Sequence, residues 1–177
     1  WKRETIQAYG DTKSNEEEFF FTGNLLNKKR TYNSDKSEYI QEDYVYDGYG
    51  NVIEKIINNP LNKDEVKAST SKSKFDEKGR FVIEKEDNFG LKTYLTYNDL
   101  GLVLMQIDPI GNKLINTYDT WGKILSSKTN LRGVTTFTYE KLSNNDSKIT
   151  EYSADGDQTI KYTNNLGQNY KITSKVF

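Results

Sequence analysis

The sequence predicts an all-β chain, a meander of antiparallel hairpin repeats of about 21 residues forming a curved, elongated open sheet or part of a β-shell. Three observations lead there. One pattern recurs: an aromatic residue, Asp or Asn, two variable residues, Gly, then a strand. Its clearest copies are Phe75-Asp76-Glu77-Lys78-Gly79, Tyr97-Asn98-Asp99-Leu100-Gly101 and Tyr118-Asp119-Thr120-Trp121-Gly122. Between them stand second glycine turns, Asp87-Asn88-Phe89-Gly90 and Asp108-Pro109-Ile110-Gly111. The third observation is composition: 13 Tyr and 8 Phe against 2 Pro, which favours strands.

The low hydrophobic fraction, 34%, and a mean hydropathy of -0.86 leave little for a deep core. A one-layer or shell-like sheet, polar on one face, needs fewer apolar residues per strand than a sandwich. The 25 basic and 26 acidic residues are spread along the chain. There is thus no basic stripe for nucleic acid and no apolar run long enough to cross a bilayer. With no Cys and no His, disulfides, thiolate or imidazole zinc sites and His-based triads are excluded. A Cys-free chain suits the extracellular space and the cytosol alike. The start at Trp1, with neither Met nor signal peptide, reads as a piece of something longer whose targeting signal lies elsewhere.

In order along the chain, residues 2–9 alternate weakly and read as a strand, followed by a loop over 10–15. Counting back four from Gly23 puts Phe19 in the aromatic position of a worn first copy. Residues 24–32 lead out, Asn33-Ser34-Asp35 turns, and 39–46 return to Tyr46-Asp47-Gly48-Tyr49-Gly50, a clean copy. Residues 51–57 lead out again, and 58–65 form a longer polar tip, where a repeat absorbs insertion cheaply. After the three central copies, 123–129 lead out, Asn130-Leu131-Arg132-Gly133 turns, and 134–139 return to Tyr139. There the signature decays, since 141–146 contain no glycine. Strands at 147–152 and 159–162 flank an Ala154-Asp155-Gly156-Asp157 turn, Asn164-Asn165-Leu166-Gly167 is a last degenerate turn, and 168–176 close the chain. The array is read as one domain, 1–177, firm over 46–133 and degenerate over 1–45 and 134–177.

The turn glycines are expected at positive φ, where a Cβ clashes. The Asp or Asn opening each turn can cap backbone N–H groups with its own side chain. Faces follow from the period of two. Tyr97, Tyr118 and Tyr139 are spaced by 21, and so are Thr96, Thr117 and Thr138 before them. The tyrosine face, with Leu91, Leu95, Leu114 and Phe137, is expected to be the better buried; Thr136, Tyr94 and Ile115 fall on the other. Residues 102–107 are apolar on both faces, so cover is expected on both sides. A globule of this length would have a radius of gyration of roughly 16 Å. About 14 or 15 strands spaced near 4.8 Å exceed that unless the sheet closes, so an elongated sheet with open first and last edges is expected.

These residues resemble the YD-repeat, or Rhs-repeat, family, whose signature is Tyr-Asp, two variable residues and Gly before a strand, often with an Asp-Pro-x-Gly turn between copies. The resemblance covers roughly residues 19–168. It implies a β-ribbon curling into a hollow shell, which in secreted bacterial toxin systems encloses a C-terminal effector; other members sit on the cell surface or wall. By resemblance the chain would be bacterial, secreted or surface-exposed, with flanking repeats of its own polypeptide and an enclosed effector as partners. Self-cleavage in that family goes with paired Asp-Pro-x-Gly sequences; here Asp108-Pro109-Ile110-Gly111 has no second copy in place, so cleavage is not carried over. The MORN repeat, also built on Tyr and Gly, has a denser glycine pattern.

The residues singled out are structural: Tyr46, Asp47, Gly50, Phe75, Asp76, Gly79, Gly90, Tyr97, Asn98, Gly101, Asp108, Gly111, Tyr118, Asp119, Gly122, Gly133 and Tyr139. A tyrosine ladder can offer a platform for glycans, but cross-strand packing, about 0.2–1 kcal/mol per pair, is its commoner role. Ser153 to Asp157 has oxygens at loop spacing for Ca²⁺ without a full EF-hand-like loop, and reads as an Asp-Gly turn. Glu16-Glu17-Glu18, a candidate cation site or helix start, reads as a solvated strand end. Two carboxylates can hydrolyse glycosides without His, yet nothing pairs any two of the many here. No cofactor, metal or catalytic residue is assigned. The favoured reading is a passive shell or stalk segment; the rival is a surface module binding glycan or protein through its aromatic face.

Overall fold

The computed structural model of the chain describes residues 2–7, 14–58 and 68–176. The expected loop over 10–15 and polar tip over 58–65 therefore fall mostly outside the described residues. All regular structure among the described residues is β. The chain divides into two compact units, Trp1–Lys92 and Thr93–Phe177.

The first unit contains β1 (Lys2–Gln7), β2 (Ser14–Thr22), β3 (Leu25–Tyr32), β4 (Tyr39–Tyr46), β5 (Val52–Asn58), β6 (Ser69–Phe75) and β7 (Val82–Glu86). Each strand pairs antiparallel with the next. The second unit takes in β8 (Lys92–Tyr97) from its second residue on, and continues with β9 (Val103–Ile107), β10 (Lys113–Tyr118), β11 (Ile124–Thr129), β12 (Gly133–Lys141), β13 (Ser147–Tyr152), β14 (Gln158–Thr163) and β15 (Asn169–Lys175). It too is a meander of sequential antiparallel ladders. Short glycine turns dictate this order, because a tight hairpin can join only antiparallel neighbours. Among the described residues no ladder joins the first strand of either unit to its last, so neither closes into a barrel.

The face assignment holds in the second unit. Leu95, Tyr97, Leu114, Tyr118, Phe137 and Tyr139 are half-buried, whereas Thr96, Thr117, Thr136 and Thr138 are exposed. Tyr94 and Ile115 are also exposed, as their parity requires. Leu91, assigned to the buried face, is exposed because it closes a turn. No apolar side chain among the described residues is fully buried, which is the thin, one-layer arrangement that the low hydropathy implies. The cover expected on both faces of 102–107 is missing from one: Leu104 is 37% exposed.

A feature not anticipated is a run of β-bulges along one end of the ladders. The register shifts beside Phe21, Tyr46, Phe75, Tyr97, Tyr118 and Thr163, at the last or next-to-last residue of an even-numbered strand. Each shift leaves one extra residue on the odd-numbered strand, Leu104 and Leu125 among them. Such a bulge bends its strand and interrupts the hydrogen-bond ladder.

Candidate functional site

The recurring site of this chain is the hairpin turn with the aromatic residue before it. Gly50, Gly79, Gly90, Gly101, Gly111, Gly122 and Gly133 all hold positive φ, between 66° and 88°. In the turn opened by Asp119, the Gly122 N–H donates to the Asp119 carbonyl at 3.1 Å, and the Asp119 N–H donates to the Lys123 carbonyl at 2.9 Å. The Asp119 Oδ1 accepts from the N–H groups of Trp121 and Lys123 at 2.9 and 2.8 Å. This is a type I turn closed by a left-handed residue. The same four contacts recur at Asp47, Asp87, Asn98, Asp108 and Asn164. The signature turns and the turns between them are therefore one device, not two. Asp76 departs by one residue: its Oδ1 accepts from Arg80 and Phe81.

At three of the turns these bonds favour the ionised carboxyl. Partial desolvation pushes the carboxyls of Asp47, Asp76 and Asp108 up, and the N–H groups and amide aimed at them bring each below the ordinary carboxylate range. In Asp76 the Arg80 guanidinium adds to the effect.

The signature tyrosines reach back to the neighbouring strand. The Tyr118 hydroxyl donates to the Val103 carbonyl at 3.0 Å, Tyr139 to the Ile124 carbonyl at 2.8 Å, and Tyr46 to the Leu26 carbonyl at 2.6 Å. Each acceptor immediately precedes a bulge residue, where the ladder is broken. Asn116, 9% exposed, donates to the same Val103 carbonyl at 3.1 Å. Burial raises the phenol pKa of Tyr97, and of Tyr139 with help from the Asp119 charge. A second tie crosses between turns: Tyr49 donates to the Glu77 carbonyl at 2.9 Å, and its ring lies against Gly79.

Several sequence readings change at the ends of the array. Phe21, not Phe19, stands beside the bulge, because Gly23 and Asn24 make a two-residue turn between the paired Thr22 and Leu25. The signature does not simply decay after Tyr139: β12 runs two residues further and the same turn forms at Leu142, with Asn145 at φ 67° in the glycine position. Two extra residues keep every face unchanged. Asn130 does not cap its own turn; its Oδ1 accepts from the Lys113 N–H at 3.0 Å, and Thr129 accepts from Arg132 instead. Glu16 is not solvated but 4% exposed and paired with Lys36. In the turn over 153–157, Ser153 Oγ accepts from the Asp157 N–H at 3.1 Å, and no metal-holding carboxylate cluster occurs among the described residues.

Shallow cavities lie on both units among the described residues. One, about 490 Å³, is lined by Asp47, Glu54, Lys72, Phe75, Asp76 and Glu84. Three of its carboxylates are paired: Glu54 with Lys72 at 3.7 Å, Asp76 with Arg80 at 3.4 Å, and Glu84 with Lys92 at 2.7 Å. Two others, about 320 and 530 Å³, lie beside Asn130 and beside Tyr139. No model of a known protein family matches the sequence, and comparison with curated proteins finds none similar to it.

Proposed function

We propose that the chain is a non-catalytic structural segment of a YD/Rhs-type repeat protein, bacterial and secreted or surface-exposed. It forms part of the shell or stalk that encloses or presents a toxin or other effector. The observation that carries this reading is the tyrosine tie between consecutive repeats: Tyr118 to Val103 and Tyr139 to Ile124, each reaching 15 residues back. Such ties couple each hairpin to the one before it, as a repeat wall needs. Flanking repeats of the same polypeptide are then the natural partners, continuing the ladders.

The rival, a module binding glycan or protein through its aromatic face, has less in its favour. The hydroxyls of Tyr46, Tyr118 and Tyr139 are committed to carbonyls and their rings are half-buried. Limited proteolysis of the complete polypeptide separates the two. A wall segment protects whatever follows the repeats, and Gly101→Val should expose that region to digestion. Equal digestion of both proteins, or selective retention on a glycan array that is lost in Tyr118→Ala, would refute the wall.

A further inference from the structure

We infer that the first unit is an acid-sensitive element, whose sheet loosens below about pH 4 while the second unit keeps its ladders. The observation is the way β2 to β5 are held together. On one face Glu17 pairs with Lys29 at 2.7 Å and Glu42 with Lys55 at 2.5 Å, and the Tyr44 hydroxyl donates to Glu42 at 2.5 Å. On the other face Glu18 meets Arg30 at 3.9 Å and the Tyr32 hydroxyl at 2.7 Å. There Asp43 lies 4.0 Å from Lys28 and accepts from the Gln41 and Asn58 amides. The buried Glu16 pairs with Lys36 of the next turn. In the β1 ladder Arg3 stands opposite Glu18, and Glu4 opposite Glu17. The Arg30 guanidinium sits 5.1 Å from the Phe20 ring centre and 4.6 Å from that of Tyr39.

Carboxylates here occupy the place of an apolar core. Protonation would leave Lys28, Lys29, Arg30, Lys36 and Lys55 as crowded cations without counter-charge, several of them half-buried. Burial pushes the Glu42 carboxyl up, but the Lys55 and Tyr44 hydrogen bonds and the nearby lysines bring it net below its ordinary value. Its contribution is therefore complete above the unfolded carboxylate range and disappears as pH falls through the lowered value.

The second unit is tied mainly by neutral contacts, with the buried Asp146 as a charged exception that accepts from the Asn144 amide at 2.6 Å and from the Tyr170 hydroxyl. Thr117 and Ser126 share a 2.7 Å hydrogen bond, and the Tyr118, Asn116 and Tyr139 ties end on carbonyls. One ion pair of this unit is Lys148–Glu140 at 2.9 Å, with Glu140 59% exposed. Asp108 and Asp119 cap two of its turns, but Asn98 and Asn164 do the same work without a charge.

Hydrogen exchange of the whole chain, localised by peptide and corrected for intrinsic rates, tests this at pH 7 and about pH 3.5. Protection of β3 to β5 should fall at least about tenfold more than that of β9 to β12. Equal losses, or earlier loss in the second unit, would overturn the inference. The double variant Glu17→Gln/Glu42→Gln should show lowered protection in the first unit already at pH 7 and a flatter acid response. A variant that keeps the full wild-type response also overturns it, and if the variant does not fold the wild-type comparison decides.

Discussion

The Tyr118 hydroxyl donates to the carbonyl of Val103 at 3.0 Å, one strand away and beside a bulge at Leu104. That contact explains why the signature asks for tyrosine where any aromatic ring would fill the face. The bulge takes the Val103 carbonyl out of the regular ladder, and a half-buried carbonyl without a donor is costly. Phenylalanine at Phe75 fills the same position without a hydroxyl, so the ring places the residue on the face and the hydroxyl adds the tie.

Removing the hydroxyl should cost roughly 0.5–1.5 kcal/mol. Asn116 also donates to Val103, so Tyr118→Phe should cost less than Tyr139→Phe. Tyr118→Ser removes the ring as well and should cost well over about 1 kcal/mol. Thr117→Ser keeps the hydroxyl facing Ser126 and should cost little. Urea melts of the four variants give the order, and a Thr117→Ser loss exceeding that of Tyr118→Ser would invert the faces.

The turn glycines should separate by what lies beside them. At Gly111, φ is +88° and nothing lies within 4 Å of an added Cβ, so Gly111→Ala carries the backbone strain alone, about 1–2 kcal/mol. At Gly79 an added Cβ would lie 2.5 Å from the Tyr49 ring. Tyr49 must then swing away and lose its bond to the Glu77 carbonyl, adding roughly 1 kcal/mol. Thermal melts should therefore rank Gly79→Ala below Gly111→Ala; equal melting points would contradict the Tyr49 contact.

The Asp108 turn should weaken in acid. Its carboxyl is held below its ordinary value, so its stabilisation is present above the unfolded value near about pH 3.9 and lost as pH falls through the lowered one. Asp108→Asn keeps the Oδ1 that accepts from Ile110 and Asn112, as Asn98 does in the preceding turn. It gives up the 2.8 Å contact from the Asn112 amide. The variant should thus be slightly weaker at pH 7 and show a flatter acid limb by amide NMR. An unchanged acid limb would mean that Asp108 does not titrate with the turn.

How much of this was readable beforehand depended on chemistry local to each turn. Asp or Asn followed three residues later by Gly specifies both the cap and the left-handed residue, so these turns could be placed from sequence. Faces followed from the period of two. The target of the Tyr118 hydroxyl could not be read, because it depends on a bulge that no residue type marks. Phe19 was misplaced for Phe21 because the Gly23-Asn24 turn is two residues long and does not follow the four-residue spacing of the others. Glu16 to Glu18 looked solvated because their partners, Lys29, Arg30 and Lys36, come from the following strand and turn, and no local pattern announces that register.

Asn145 is the least visible member of the array, and its replacement gives the sharpest test of the repeat. It holds φ 67° in the glycine position, with its N–H donating to the Leu142 carbonyl at 3.0 Å. Asn tolerates the left-handed region better than other residues with a Cβ, but glycine occupies it at no steric cost. Leu142 opens this turn and has no side-chain oxygen to cap it; the Asn144 Oδ1 accepts from the Asp146 N–H at 3.1 Å instead. Asn145→Gly should therefore hold or raise stability, by up to about 1 kcal/mol, despite the added freedom of the unfolded chain. Asn145→Val should lower it by at least roughly 1–2 kcal/mol, since a β-branched side chain is excluded from positive φ. Equilibrium unfolding of the two variants settles the order, and a valine variant as stable as the glycine one would remove this turn from the series.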